Sequence, residues 1–185
     1  GGNRRNGLNK IETTSGIPWN NGAISTAEWK GILLQDLLKA FINDDDILNN
    51  NISHIHFEGL DGVIASIPIE KAMDKYGDVL IAYEMNGEEL PLDHGYPLRI
   101  IVPGYIGIRN IKWLKKIIIS DQEADGPWQR GIAYKSLPHY IKNVNNFLVE
   151  NVAAIQELPV QSCIIDIIQD KKNITIKGCA WSGGC

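Results

Sequence analysis

Residues 78–120 read DVLIAYEMNGEELPLDHGYPLRIIVPGYIGIRNIKWLKKIIIS, and the reading of the fold turns on them. Val79 to Ala82 form an apolar run of strand length, and Asn86-Gly87 follows where a tight hairpin needs positive φ. Pro91 and Pro97 bound a loop carrying Asp93, His94 and Gly95, after which Arg99 opens a second apolar run, Ile100 to Val102. Gly104 and Gly107 let the backbone pass close to a neighbour, Arg109 and Lys112 bring positive charge, and Trp113 to Ile119 returns to strand. Polar groups therefore collect at strand ends. Cations and backbone N–H groups on the rim of a rigid sheet suit a polyanion.

The chain of 185 residues can bury one substantial core and little more than a piece of a second. With 44% hydrophobic and 22% charged residues the composition is that of an ordinary globular domain, and no apolar run approaches the roughly 20 residues of a membrane-spanning helix. A formal net charge of −4 argues against nucleic acid as the main partner, because a phosphate backbone demands a basic face. All five arginines, Arg4, Arg5, Arg99, Arg109 and Arg130, nevertheless fall in a few motif-like pieces. A guanidinium fork binds oxyanions bidentately, so this bias favours a local anion site on an acidic protein. The three cysteines, Cys163, Cys179 and Cys185, lie late and irregularly spaced, and read as free thiols in core strands rather than a disulfide framework or zinc site.

Outward from the centre, GGNRR at residues 1–5 is either an anion-handling loop or a frayed terminus. Ser25 with Glu28 forms a possible capping box, and Leu34, Leu37, Leu38 and Phe41 recur at helical spacing, which predicts a helix over 25–41 with Asp44 to Asp46 as its solvated end. Ile52 to Phe57 alternates as a strand, with His54 and His56 on a solvated face and Ile55 and Phe57 on the other. Pro68 is placed for the first turn of a short helix in IEKAMDKYG. Residues 121–135 form a polar loop, and 142–159 have the character of a linker ending at Pro159. Two strand-like runs then flank a turn at Asp170 to Asn173.

The ordered set of pieces GNRR, GAISTAEW, FEGLD, AYEMNGEELPLDHGYPLRIIVPG, RNIKWL, WQR, IQELPVQS and AWSGG resembles the molybdopterin-binding domain of the sulfite oxidase family. Eukaryotic assimilatory nitrate reductase shares the pattern more loosely. The resemblance runs over the whole chain. It implies an α+β, β-rich molybdopterin-binding domain over residues 1–150, followed at 151–185 by the truncated start of an immunoglobulin-like β-sandwich used for homodimerisation.

By the same resemblance the cofactor is molybdenum-molybdopterin, contacted by Asp61, His94, Arg99, Asn110, Ile111 and Lys112, with Arg109 free to make a structural ion pair instead. The loop after Asp61 is shorter than in the animal enzymes of the family. Arg5 and Trp19 correspond to residues that hold the substrate oxyanion, and Tyr134 to the active-site tyrosine if one residue is inserted after Arg130. The family's metal-ligating cysteine falls on the residue before Gly1, so none of this chain's side chains is expected to bind the metal and the chain is expected to be a fragment. The implied activity is oxidation of sulfite to sulfate, with electrons passing through a haem domain outside this chain to cytochrome c in the mitochondrial intermembrane space. A nitrate reductase and a non-catalytic relative are the alternatives.

Overall fold

The computed structural model describes residues 3–138, 140–141 and 149–183. These form two compact units, Ala27–Gln156 and Gly1–Thr26 with Glu157–Cys185. Strands dominate both, and the helices are short.

In the first unit β4 (Leu80–Met85) organises one sheet. It pairs antiparallel with β1 (Trp29–Leu33) on one edge and with β5 (Glu88–Glu89) and β6 (Arg99–Ile101) on the other. The β4–β5 turn is the expected one, for Asn86 and Gly87 take φ of 54° and 82°, the pair of left-handed values that suits the twist of a two-residue hairpin.

A second sheet runs in the order β3 (Ile64–Pro68), β2 (His54–Gly59), β7 (Leu114–Ser120). Along β2 buried and half-buried residues alternate, placing Ile55 and Phe57 in the core and His54 and His56 on the other face, as their spacing predicts. Helix α4 (Ile69–Met73) follows Pro68 as expected. Ile55, Phe57, Ile67, Ile81, Ile100 and Ile111 join Leu34 and Leu38 in one core, so strands from both sheets are fixed to each other by burial.

The helix expected over 25–41 is a correction. Residues Trp29–Leu33 are strand β1, and only α2 (Leu34–Lys39) is helical. Gly31 explains why: a Cβ there would land on the Ile81 carbonyl oxygen, a backbone approach that a helical residue never makes and only glycine permits. Glu28 does not cap a helix either. Its backbone exchanges hydrogen bonds with Asn86, whose amide N–H donates to Glu28 O at 2.8 Å while Asn86 Oδ1 accepts from Glu28 N at 3.0 Å. The capping box lies instead at Asn43 and Asp46, where it opens α3 (Asp44–Asn49). The aspartate run is thus a helix start, favoured by the positive end of the helix dipole.

The second unit contains α1 (Arg5–Leu8) and a ribbon of β8 (Gln161–Gln169) and β9 (Ile174–Trp181), closed by the predicted turn with Asp170 Oδ1 accepting from Lys172 N and Asn173 N. Those two N–H groups hold the Asp170 carboxyl below its ordinary range. The ribbon is not the buried core that its isoleucines suggest. Ile164, Ile165, Ile167, Ile168, Ile174 and Ile176 are all exposed. Cys163 and Cys179 are free and half-buried; Cys185 and the glycines at 1 and 2 lie outside the described residues.

Candidate functional site

The loop after β5 begins as a 3-10 turn, Leu92–His94, ended by Gly95 at φ 113°. A Cβ on Gly95 would sit 3.0 Å from Arg99 Cβ and 3.1 Å from Lys112 Cβ. Only a glycine allows both that φ and that approach, and the result is that three chain segments meet. Arg99 donates from Nη1 to His94 O at 2.8 Å and from Nη2 to Asn110 O at 3.3 Å, with its guanidinium 4.8 Å from the centre of the Trp29 ring. Its Nε is buried and has no hydrogen-bond partner. Burial alone pulls this guanidinium below its ordinary pKa.

Lys112 Nζ donates to Asp93 O at 2.7 Å and stands 4.3 Å from the Trp113 ring centre, while the Trp113 indole N–H donates to Leu92 O at 2.7 Å. Asn110 stitches the preceding loop, with Oδ1 accepting from Val102 N and Nδ2 donating to Ile106 O. Ile111 is buried, and its carbonyl accepts from Ile100 N at 2.7 Å. Asp61 and Lys112 both flank Gly59, where a Cβ would lie 2.5 Å from Asp61 Oδ1 and 2.8 Å from Lys112 O. His94 itself is exposed at the surface of the turn. Asp61, His94, Arg99, Asn110, Ile111 and Lys112 are therefore brought together at one rim of the first unit.

Arg109 does not share that rim. It is fully buried, donating from Nε to Gln156 Oε1 at 2.9 Å, from Nη1 to Trp128 O at 3.0 Å and from Nη2 to Ile155 O at 2.9 Å. Burial pushes its guanidinium down to about 10, which leaves it charged at neutral pH. Its partners are neutral amides and carbonyls, so the expected ion pair is replaced by a hydrogen-bonded knot. Ile155 and Gln156 belong to the stretch read as linker, and they act here as structural partners; residues 142–148 of that stretch lie outside the described residues.

The knot also secures the loop that carries Tyr134. Buried Gln129 accepts from Ser66 N at 3.0 Å and donates to Ser66 O at 3.2 Å, and Lys135 Nζ donates to Val152 O at 2.6 Å. Tyr134 sits between these anchors at φ 60°, its carbonyl accepting from Ile155 N, and the residue is 42% exposed. Arg130 is engaged with Asp125 and Gln122 at the surface.

Arg5 and Trp19 belong to the other unit. Arg5 Nη1 donates to Ile17 O at 2.7 Å with the guanidinium against Gly16, and Trp19 O accepts from Asn6 N at 3.0 Å while the indole remains half exposed. Two residues at the rim escaped the reading of the sequence, Trp29 beneath Arg99 and Trp113 beside Lys112. Trp29 ends the piece GAISTAEW, and that membership was the available signal. Among the described residues no three His, Cys, Asp or Glu side chains gather in a way that could hold a metal ion.

Residues 1–128 match the family model described as the oxidoreductase molybdopterin binding domain, well over half of the chain. The chain belongs to this family. Mitochondrial sulfite oxidase of Mus musculus is 42% identical over 99% of the chain, and that of Drosophila melanogaster is 39% identical over 100% of it. An NADH nitrate reductase of Brassica napus is 35% identical over 99% of the chain. The chain spans about a third of the length of the two sulfite oxidases, 34% in each, and 22% of the nitrate reductase. Among solved structures, the sulfane dehydrogenase of Paracoccus pantotrophus superposes with a TM-score of 0.68 at 26% identity, over 92% of this chain and 42% of that one. The mostly β architecture with few helices is thus that of a molybdopterin-binding domain, and the cofactor of the family is molybdopterin-borne molybdenum.

Proposed function

We propose that this chain is part of a molybdenum oxidoreductase that oxidises sulfite to sulfate. The observation that carries this reading is Arg99, whose buried Nε lacks a partner at a rim shared with His94 and Lys112. A buried guanidinium donor left unpaired is costly, and an anionic group from outside the chain would satisfy it. Lys112 has further N–H donors beyond the one spent on Asp93, and His94 offers an exposed ring, so the donor set fits a pterin-borne phosphate. Asp61, Asn110 and Ile111 would complete that seat.

When bound, the molybdenum cofactor supplies oxygen-atom transfer and takes up two electrons. The protein's own share is to hold and orient. By the resemblance, Arg5 and Trp19 correspond to residues that hold the substrate oxyanion, and Tyr134 corresponds to the tyrosine whose phenol would donate a hydrogen bond or pass a proton at its Oη. The thiolate ligand of the metal would come from the residue before Gly1.

The wider assignments rest on resemblance: domains at 1–150 and 151–185, the second opening an immunoglobulin-like sandwich that forms a homodimer, and a haem domain delivering electrons to cytochrome c in the mitochondrial intermembrane space. Steady-state turnover of the complete protein with sulfite and with nitrate tests the reading. Cytochrome c reduction dependent on sulfite is the expected result. Turnover with nitrate alone would replace it by the nitrate reductase reading, and a residue other than cysteine before Gly1 would leave only a binding role.

A further inference from the structure

Cys163 and Cys179 stand opposite each other as paired residues of β8 and β9, and their sulfurs are 3.3 Å apart. Residues facing one another across antiparallel strands have Cα atoms about 4.5 to 5.5 Å apart, within the range that a disulfide spans. No backbone rearrangement is needed to join them. The register shifts just beyond the pair, between Ile164 and Asp166, and Gly178 lies against the Cys163 carbonyl, where a Cβ would come within 2.6 Å. Such irregularities re-aim neighbouring side chains. Both cysteines border an open groove of about 670 Å³ together with Arg4, Asn21 and Ser162, all in the second unit. Cys163 also borders an adjoining groove of about 490 Å³ that Arg4 and Lys10 share.

We propose that Cys163 and Cys179 form a redox-reactive cross-strand dithiol that exchanges with small anionic disulfides of the glutathione-disulfide class. Arg4 supplies the attraction for the carboxylates of such a molecule. The Cys163 thiolate attacks one sulfur of the disulfide, forming a mixed disulfide and releasing the first thiolate, which takes a proton. Cys179, after losing its proton to solvent, attacks Cys163 Sγ and expels the second. Two protein thiols are oxidised to one disulfide, and one small disulfide is reduced to two thiols. The order follows from the geometry, since Cys163 borders both grooves and Cys179 only one. It agrees with the hydrogen bond to Cys163, which together with burial raises the Cys179 pKa and keeps that thiol protonated for longer. This site is independent of the sulfite reading.

The experiment incubates the full polypeptide carrying this chain with glutathione disulfide, blocks remaining thiols and maps peptides by mass. The expected product is a peptide pair linked through Cys163 and Cys179, with two molecules of reduced glutathione released per link. Cys179→Ser should stop at a glutathione adduct on Cys163, and Cys163→Ser should form no link. Arg4→Ala should slow the reaction about five- to tenfold with glutathione disulfide and leave the rate with uncharged hydroxyethyl disulfide unchanged. Absence of the linked pair in the unaltered protein overturns the proposal. So does a Cys179→Ser protein that carries no adduct, or an Arg4→Ala protein equally fast, or equally slowed, with both probes.

Discussion

Arg99 and Arg109 lie ten positions apart, and the two guanidinium groups have opposite fates. Arg99 lies at the rim with two hydrogen bonds to carbonyls, an aromatic ring beside it and a third donor unspent. Arg109 lies in the interior with each of its three nitrogens bonded to a partner drawn from residues 128, 155 and 156. One is arranged to receive something, the other to hold the chain to itself. A positive charge in a motif therefore carries no single meaning; what its donors are already doing decides.

The sharpest way to break this contrast is to remove the interior group. Arg109→Met should cost about 3 to 5 kcal/mol, because the Trp128 and Ile155 carbonyls lose a charged donor in a buried place. A urea denaturation midpoint measures it, and a loss under about 1 kcal/mol would erase the difference between the two arginines. Next comes the strand under the rim. Gly31→Val should destabilise by about 2 to 3 kcal/mol, since the new Cβ meets the Ile81 and Ala82 backbone, which cannot step aside. At the rim itself the effect on stability should be small and the effect on binding large. Arg99→Ala is expected to shift the same midpoint by less than about 1 kcal/mol while cofactor retained through gel filtration falls about tenfold, the worth of one charge-assisted contact.

The smallest effect concerns β2, away from both arginines. Burial, the largest influence on His54, lowers its pKa from 6.5. Ser53 Oγ gives its proton to Asp121 O at 2.7 Å, so His54 Nδ1 donates to that oxygen in turn at 3.0 Å. Because the folded pKa is the lower one, the unfolded chain takes up the proton first. Stability contributed by this group is complete above about pH 6.5 and is lost as the pH falls through the folded value. His54→Gln should flatten that part of the stability profile, and an unchanged slope would show that another group sets it.

How far the sequence could be read follows the range of the forces involved. The Asn86-Gly87 hairpin and the β2 alternation were legible because each depends on neighbours in the chain. Residues 25–41 misled because the leucine spacing of one short helix hid a strand, and the demand on Gly31 comes from Ile81, far along the chain. The capping box that forms, Asn43 with Asp46, lies in the aspartate run that was read as a helix end. Of the rim, the cationic residues could be listed from their types and the resemblance. Their convergence through Gly95 could not, nor the occupation of Arg109 by residues that read as linker.

The middle strand of the second sheet imposes a delay on folding during synthesis. Phe57 finds Ala65 at once, but its other neighbour, Ile117, emerges from the ribosome only later. At roughly 5 to 20 residues per second the wait lasts several seconds, during which an open strand edge and the side chains of Ile55 and Phe57 lack their later partners. A chaperone arriving in that interval would find a binding site that the finished protein no longer displays.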